Sequence, residues 1–115
     1  MHELYLAEQI IKGVLAALPG EVSPASVRLI EVEVGRLNAV VPESLCFLFD
    51  ALRSSYDMPK AQLTAAEIDV LCRCQDCAAE FKIDLPLFLC PECGGSRIDI
   101  LRGRGVRLMR VEIEE

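Results

Sequence analysis

A chain of 115 residues is one ordinary domain, or a small domain carrying a smaller module. Its apolar content of 52% is too high for a disordered chain, and no apolar run approaches the roughly 18 residues that would cross a bilayer. Twelve basic against 18 acidic residues, a formal charge of −6, exclude a phosphate-binding surface of the usual kind and speak against nucleic acid as a partner.

The first residues carry Glu3 and Glu8 and lack a basic leader, so they do not read as a secretory signal, and the expected compartment is the cytoplasm, with no membrane partner. From Leu4 to Leu18, the residues Leu4, Ala7, Ile11, Val14, Leu15 and Leu18 recur at the spacing of one helix face, and Pro19-Gly20 ends the pattern. Glu8 and Lys12 pair on its wet side. After the turn-like "EVSPAS", the segment "VRLIEVEVG" predicts a strand with Ile30, Val32 and Val34 inward and Glu31 and Glu33 outward.

Gly35 ends that strand and "RLNAV" reads as a loop. Pro42 suits a first helical position, with Glu43 favourable in the first turn. Leu45, Leu48, Phe49, Leu52 and Tyr56 then form the buried stripe of a second helix that stops before Met58-Pro59. Cys46 lies beside the stripe and reads as a small apolar residue. A strand "AEIDVLCRC" follows, with Ile68, Val70 and Cys72 on one face, and the chain closes on a strand "GRGVRLMRVEIEE" whose alternation slips at Leu108-Met109, the signature of a bulge.

Between these strands lie "CQDC" and "CPEC". Cysteines in a cytoplasmic chain are metal ligands or free thiols more readily than disulfides. Two C-x-x-C knuckles separated by twelve residues gather Cys74, Cys77, Cys90 and Cys93 into a tetrahedral thiolate shell of the kind Zn(II) favours. Phe81, Ile83, Leu87 and Leu89 supply a small hairpin between the knuckles, and Gly94-Gly95 lets the backbone turn behind the second. The four cysteines close the shell, so the zinc is structural. Iron in an Fe(Cys)4 centre is the rival metal. Cys72, two residues from Cys74 on the same strand face, is an alternative thiolate whose simpler role is a half-buried thiol. With a single histidine and a saturated metal shell, no acid–base or nucleophile constellation presents itself, which speaks against an enzyme.

These elements make an α+β fold: two helices packed on a small mixed β-sheet, with an inserted zinc-ribbon-like module. Residues 1–70, completed by the closing strand 104–115, form one domain, and 71–103 the zinc-binding module. The order of the strands does not follow from the sequence.

His2 is the only histidine. Its imidazole can chelate together with its own backbone nitrogen and the amine of Met1, and Glu3 adds a carboxylate or a second amide. Nitrogen donors in a plane suit Ni(II) or Cu(II). A large second residue keeps Met1 in place. Taken alone, a histidine at a chain end carries no function.

The wider pattern supplies one. "MHE" at the start, an amphipathic helix, "VEVGRLNAVVPESLCFLFDAL", "AEIDVLCRCQDCAAEF", "CPECGG" and a closing "LMRVEIEE" together resemble the HypA-type hydrogenase nickel-incorporation family, in order and over essentially the whole chain. The resemblance implies a two-domain nickel metallochaperone that delivers Ni(II) to the large-subunit precursor of [NiFe]-hydrogenase, with a HypB-type GTPase as partner, and in some bacteria serves urease. It places nickel at His2, with Glu3 and the Met1 amine as neighbours, and zinc on Cys74, Cys77, Cys90 and Cys93. Residues 1–70 with the closing strand become the nickel-binding domain. Tyr5 replaces a small polar residue common in the family, and Val40-Val41 replace an acid in the loop before the second helix, leaving Glu43 as the nearest one. Exchange of a helix or of the cysteine module between two chains is one route to a homodimer. The competing readings are a zinc-ribbon adaptor without nickel, or a rubredoxin-like Fe(Cys)4 electron carrier.

Overall fold

A computed structural model describes residues 3–84 and 87–114. Helix α1 spans Glu3–Ala17, strand β1 Val27–Gly35, helix α2 Pro42–Leu52, and strands β2 to β6 follow as Gln62–Ile68, Val70–Cys74, Glu80–Ile83, Ile98–Arg102 and Val106–Ile113. Short 3-10 helices fill the connections at Pro24–Ser26, Arg36–Asn38 and Arg53–Tyr56. The first is capped by the Ser23 side chain, which accepts from Ala25 N.

The strands form two three-stranded sheets, ordered β2-β1-β6 and β4-β3-β5. In the first, β1 pairs parallel with β2 and antiparallel with β6, so α2 serves as the crossover that a parallel pair requires. Both helices lie over one face of this sheet. Val27, Ile30, Val32 and Val34 of β1 are buried there with Ala7, Ile10, Ile11 and Val14 of α1, and with Leu45 and Phe49 of α2. Val27 and Ile30 can share that face despite their odd spacing because the β1–β6 register slips between Val27 and Leu29. The slip expected near Leu108-Met109 is also present, since Glu31 faces Arg110 while the adjacent Val32 faces Leu108. On the opposite face, Glu31 pairs with Arg110 at 3.0 Å, and Glu33 lies 3.8 Å from Arg102 and 4.0 Å from Arg107.

Two sequence expectations need correction. "AEIDVLCRC" is two strands in two different sheets, broken at Asp69, whose carboxylate takes Arg36 at 3.1 Å and Lys82 at 3.6 Å. Among the described residues, the segment between the knuckles forms no hairpin of its own: β4 pairs with β3 across the first knuckle, and residues 87–89 are not a strand. The third strand of this sheet is instead β5, beyond the second knuckle, paired with β3 from Cys74↔Ile98 to Leu71↔Arg102.

The two sheets meet at a backbone clasp. Gly35 N donates to Gly105 O at 2.8 Å and Leu37 N to Gly103 O at 3.1 Å. A methyl group on Gly35 would fall inside the Gly103 carbonyl, and one on Gly103, where φ is +100°, would lie 2.6 Å from Val70 Cα. The chain leaving β1, the chain leaving β5 and the start of β3 therefore stack with no side chain between them.

At the other end of the Arg36–Asn38 turn, α2 begins without a side-chain cap of its own: Val41 occupies the N-cap and Pro42 follows. The Glu3 carboxylate, reaching across from α1, accepts from Val41 N at 3.2 Å. This contact does for α2 what the glutamate of a capping box does within one helix. It also ties the first turn of α1 to the loop that lacks an acid.

Candidate metal centre

Cys74 ends β3, Cys77 follows in the turn, and Cys90 and Cys93 lie in the second turn, ahead of β5. The two knuckles repeat one backbone design. The first cysteine of each donates its N–H to the carbonyl five residues on (Cys74 to Ala79, Cys90 to Gly95, both 2.9 Å), and its carbonyl accepts from the residue four on (Ala78 and Gly94, both 2.9 Å). That fourth residue is left-handed in both, with φ of 63° at Ala78 and 74° at Gly94. Alanine pays steric strain in this conformation that glycine avoids. Ala78→Gly is therefore expected to raise the thermal midpoint of the metal-loaded chain slightly, by up to about 1 kcal/mol of stability; differential scanning calorimetry would read it.

The four sulfur atoms lie within 4.8 Å of one another. Cys74 and Cys93 Sγ are 3.6 Å apart, and Cys77 and Cys90 Sγ 3.5 Å. A disulfide needs about 2.05 Å, whereas tetrahedral Zn–S bonds of about 2.3 Å set sulfurs roughly 3.8 Å apart. The donor set and spacing thus fit Zn(II) held by four thiolates, and the ion's contribution there is to bind the two knuckles together. Cys74 and Cys90 are buried, Cys77 and Cys93 exposed, so the site opens to solvent on one side.

Burial would push the Cys90 thiol up, but the N–H groups of Cys93 and Glu92 and the neighbouring thiols hold it down at about 7. At Cys77 the Ala79 N–H favours the thiolate, yet the Cys90 thiol, burial and the remaining two cysteines push it up to about 12. A cation must displace these protons, so zinc affinity falls as pH falls.

Cys72 is fully buried on β3, two residues before Cys74 on the same strand, and it is not among the four clustered ligands. Burial pushes its thiol up, as befits an unreactive core residue. Cys46 is half-buried and its Sγ contacts Leu63 O at 3.4 Å. Neither joins the site.

Sequence reasoning overlooked four residues around the cluster. Arg97 pairs with Asp76, Gln75 Nε2 donates to Asp99 Oδ1 at 2.8 Å, and Gln75 N donates to Arg97 O at 2.9 Å. Gln75 and Asp76 are the two residues between the cysteines of "CQDC", and a polar pair within a knuckle was the available signal. Of the residues expected at a nickel site, Glu3 makes the Val41 contact, while Met1 and His2 lie outside the described residues.

A family model described as hydrogenase/urease nickel incorporation, metallochaperone, HypA, matches residues 1–113. The hydrogenase maturation factor HypA of Desulfosudis oleivorans is 36% identical over 115 residues, all of both chains. That of Streptomyces avermitilis is 36% identical, over all of this chain and 88% of its own. In fold, the chain is similar to the solution structure of the Ni metallochaperone HypA from Helicobacter pylori, with a TM-score of 0.72 at 21% identity, covering 98% of this chain and 97% of that one. The chain belongs to the HypA family of hydrogenase/urease nickel-incorporation metallochaperones.

Proposed function

We propose that this chain carries Ni(II) on its first residues and hands it on for [NiFe]-hydrogenase maturation, while Cys74, Cys77, Cys90 and Cys93 keep a structural Zn(II). It moves a metal and transforms no substrate. The nickel ligands in this reading are the His2 imidazole, nearby backbone nitrogens and the Met1 amine, with Glu3 beside them. Residues 1–70 with 104–115 act as the nickel domain and 71–103 as the zinc module. The recipient is the hydrogenase large-subunit precursor, with a HypB-type GTPase as partner in the cytoplasm and urease as a second recipient.

The observation that carries this reading is the Glu3–Val41 contact in a chain matched by the family model from residue 1. The residue after His2 is fastened to the loop before α2, which gives a terminal chelate a fixed base and costs it less entropy on closing. Imidazole and α-amine, with ordinary pKa values of about 6.5 and about 7.7, must lose their protons to bind, so nickel is held at neutral pH and released in acid. A terminal chelate suits a cargo that must leave again better than a closed cage would.

The test is complementation. In a bacterium lacking its own nickel-incorporation protein, the wild-type chain should restore hydrogenase activity and His2→Ala should not, at equal protein levels. Equal activity from both would set His2 aside as the nickel residue.

A further inference from the structure

The zinc reading leaves the Arg97–Asp76 pair without a role. As an isolated surface ion pair, with side chains 68% and 39% exposed, it would contribute little. Its location is the reason to look again. Asp76 belongs to the first knuckle and Arg97 follows the second, so the pair crosses from one half of the metal site to the other. The backbone bond from Gln75 N to Arg97 O and the Gln75–Asp99 hydrogen bond cross in the same place.

The Asp76 carboxylate and two of the ligands also border the same residue. A methyl group built on Gly95 would lie 2.9 Å from Asp76 Oδ2, 3.3 Å from Cys93 Sγ and 3.6 Å from Cys74 Sγ. A carboxylate and two ligand sulfurs therefore converge on one glycine. Four thiolates around Zn(II) carry a net charge of about −2. Asp76 adds another negative charge at that spot, which by itself would repel the thiolates and loosen the site. Arg97 is the cation that faces it.

We propose that Arg97 is a positioning residue of the metal site: anchored by Asp76, it straps the second knuckle to the first and supplies the counter-charge for the thiolate cluster. The guanidinium senses both groups, since Asp76 first and Cys74 after it raise its pKa above the ordinary value. Gly95 is the third part of the device, because any side chain there would push Asp76 off its place.

The proposal rests on the four cysteines holding zinc, and it makes an asymmetric prediction that a mere strap would not. Arg97→Ala leaves Asp76 uncompensated beside the thiolates, whereas Asp76→Ala removes the strap and the repulsion together. Zinc transfer from the full-length chain to the chelator 4-(2-pyridylazo)resorcinol should speed up about 10–100-fold in Arg97→Ala, the usual scale for a lost outer partner of a metal ligand. It should speed up only a few-fold in Asp76→Ala, and the double variant should release zinc more slowly than Arg97→Ala alone. Arg97→Lys, which keeps the charge, should stay close to wild type. Cobalt-substituted samples of each variant should keep the same thiolate absorption bands, which shows that the ligand set is unchanged.

Wild-type release from Arg97→Ala would overturn the proposal. So would a double variant that releases zinc as fast as Arg97→Ala or faster. A wild-type chain purified without zinc would overturn the zinc reading itself, and metal content measured before chelator is added separates that failure from a failure of Arg97.

Discussion

Gly35→Ala is expected to destabilise the chain by about 3–5 kcal/mol. The backbone at Gly35 is ordinary, with φ of −69°, so the cost does not come from its conformation. It comes from contact: the new methyl would occupy the Gly103 carbonyl and approach within 2.6 Å of Arg104 N. The strands must separate to admit it, and separation breaks both clasp hydrogen bonds, Gly35 N to Gly105 O and Leu37 N to Gly103 O. Two backbone bonds at about 1 kcal/mol each and overpacking strain of about 1–3 kcal/mol give the total. Urea unfolding would show it as a midpoint lowered by roughly 2 M, at slopes usual for a small domain. Gly13→Ala is the internal control. Nothing lies within 4 Å of a methyl group there, and in mid-helix the change should stabilise by up to about 1 kcal/mol.

Cys90→Ser is expected to unfold the sheet β4-β3-β5 while leaving α1, α2 and the sheet β2-β1-β6 in place. The reason is where the apolar core lies. The buried cluster runs from Ala7 to Ala61 with Val106 and Val111 packed against it, and it includes no residue of the knuckles or of β3, β4 and β5. The small sheet has three short strands, and among the described residues the buried side chains of the sheet and its knuckles are Val70, Cys72, Cys74 and Cys90. Such a unit cannot offset its own conformational entropy by burial, and structural zinc, with apparent binding free energies of about 10–16 kcal/mol, supplies the difference. Amide hydrogen exchange would read the outcome as lost protection in 70–102 with protection kept in β1. Retained protection in β3 would mean that the module folds without its metal.

The helices and β1 were legible because local pattern and global packing agree there. Ile30, Val32 and Val34 alternate with glutamates that lie half-buried on the other face, and Leu45 and Phe49 fall on one helix face. The cysteine site was legible because ligand spacing is a short-range constraint that the sequence states outright. The break at Asp69 was not, since alternation runs through Ile68, Val70 and Cys72 without a pause. What divides the two strands is long-range: Arg36 and Lys82 hold the Asp69 carboxylate, and Gly103 packs against Val70. β5 was missed for a similar reason, as the five residues Ile98–Arg102 become a strand only by pairing with β3. Met58 looked like a helix stop, yet it is fully buried beneath a turn that Asp57 makes at φ of 62°. Glu3 had a reading from its neighbour His2, but its contact 38 residues away with Val41 could come only from the fold. The proposal that His2 binds nickel rests on the family pattern and on the chemistry of a terminal chelate, while the cysteine cluster needed neither.

The most direct test counts both metals on untagged wild-type protein and on His2→Ala, by elemental analysis after Ni(II) titration and gel filtration. Wild type should hold nickel and about one zinc per chain, and His2→Ala should lose the nickel and keep the zinc. Nickel bound equally well by His2→Ala would contradict the terminal site and move the search to other donors in the chain.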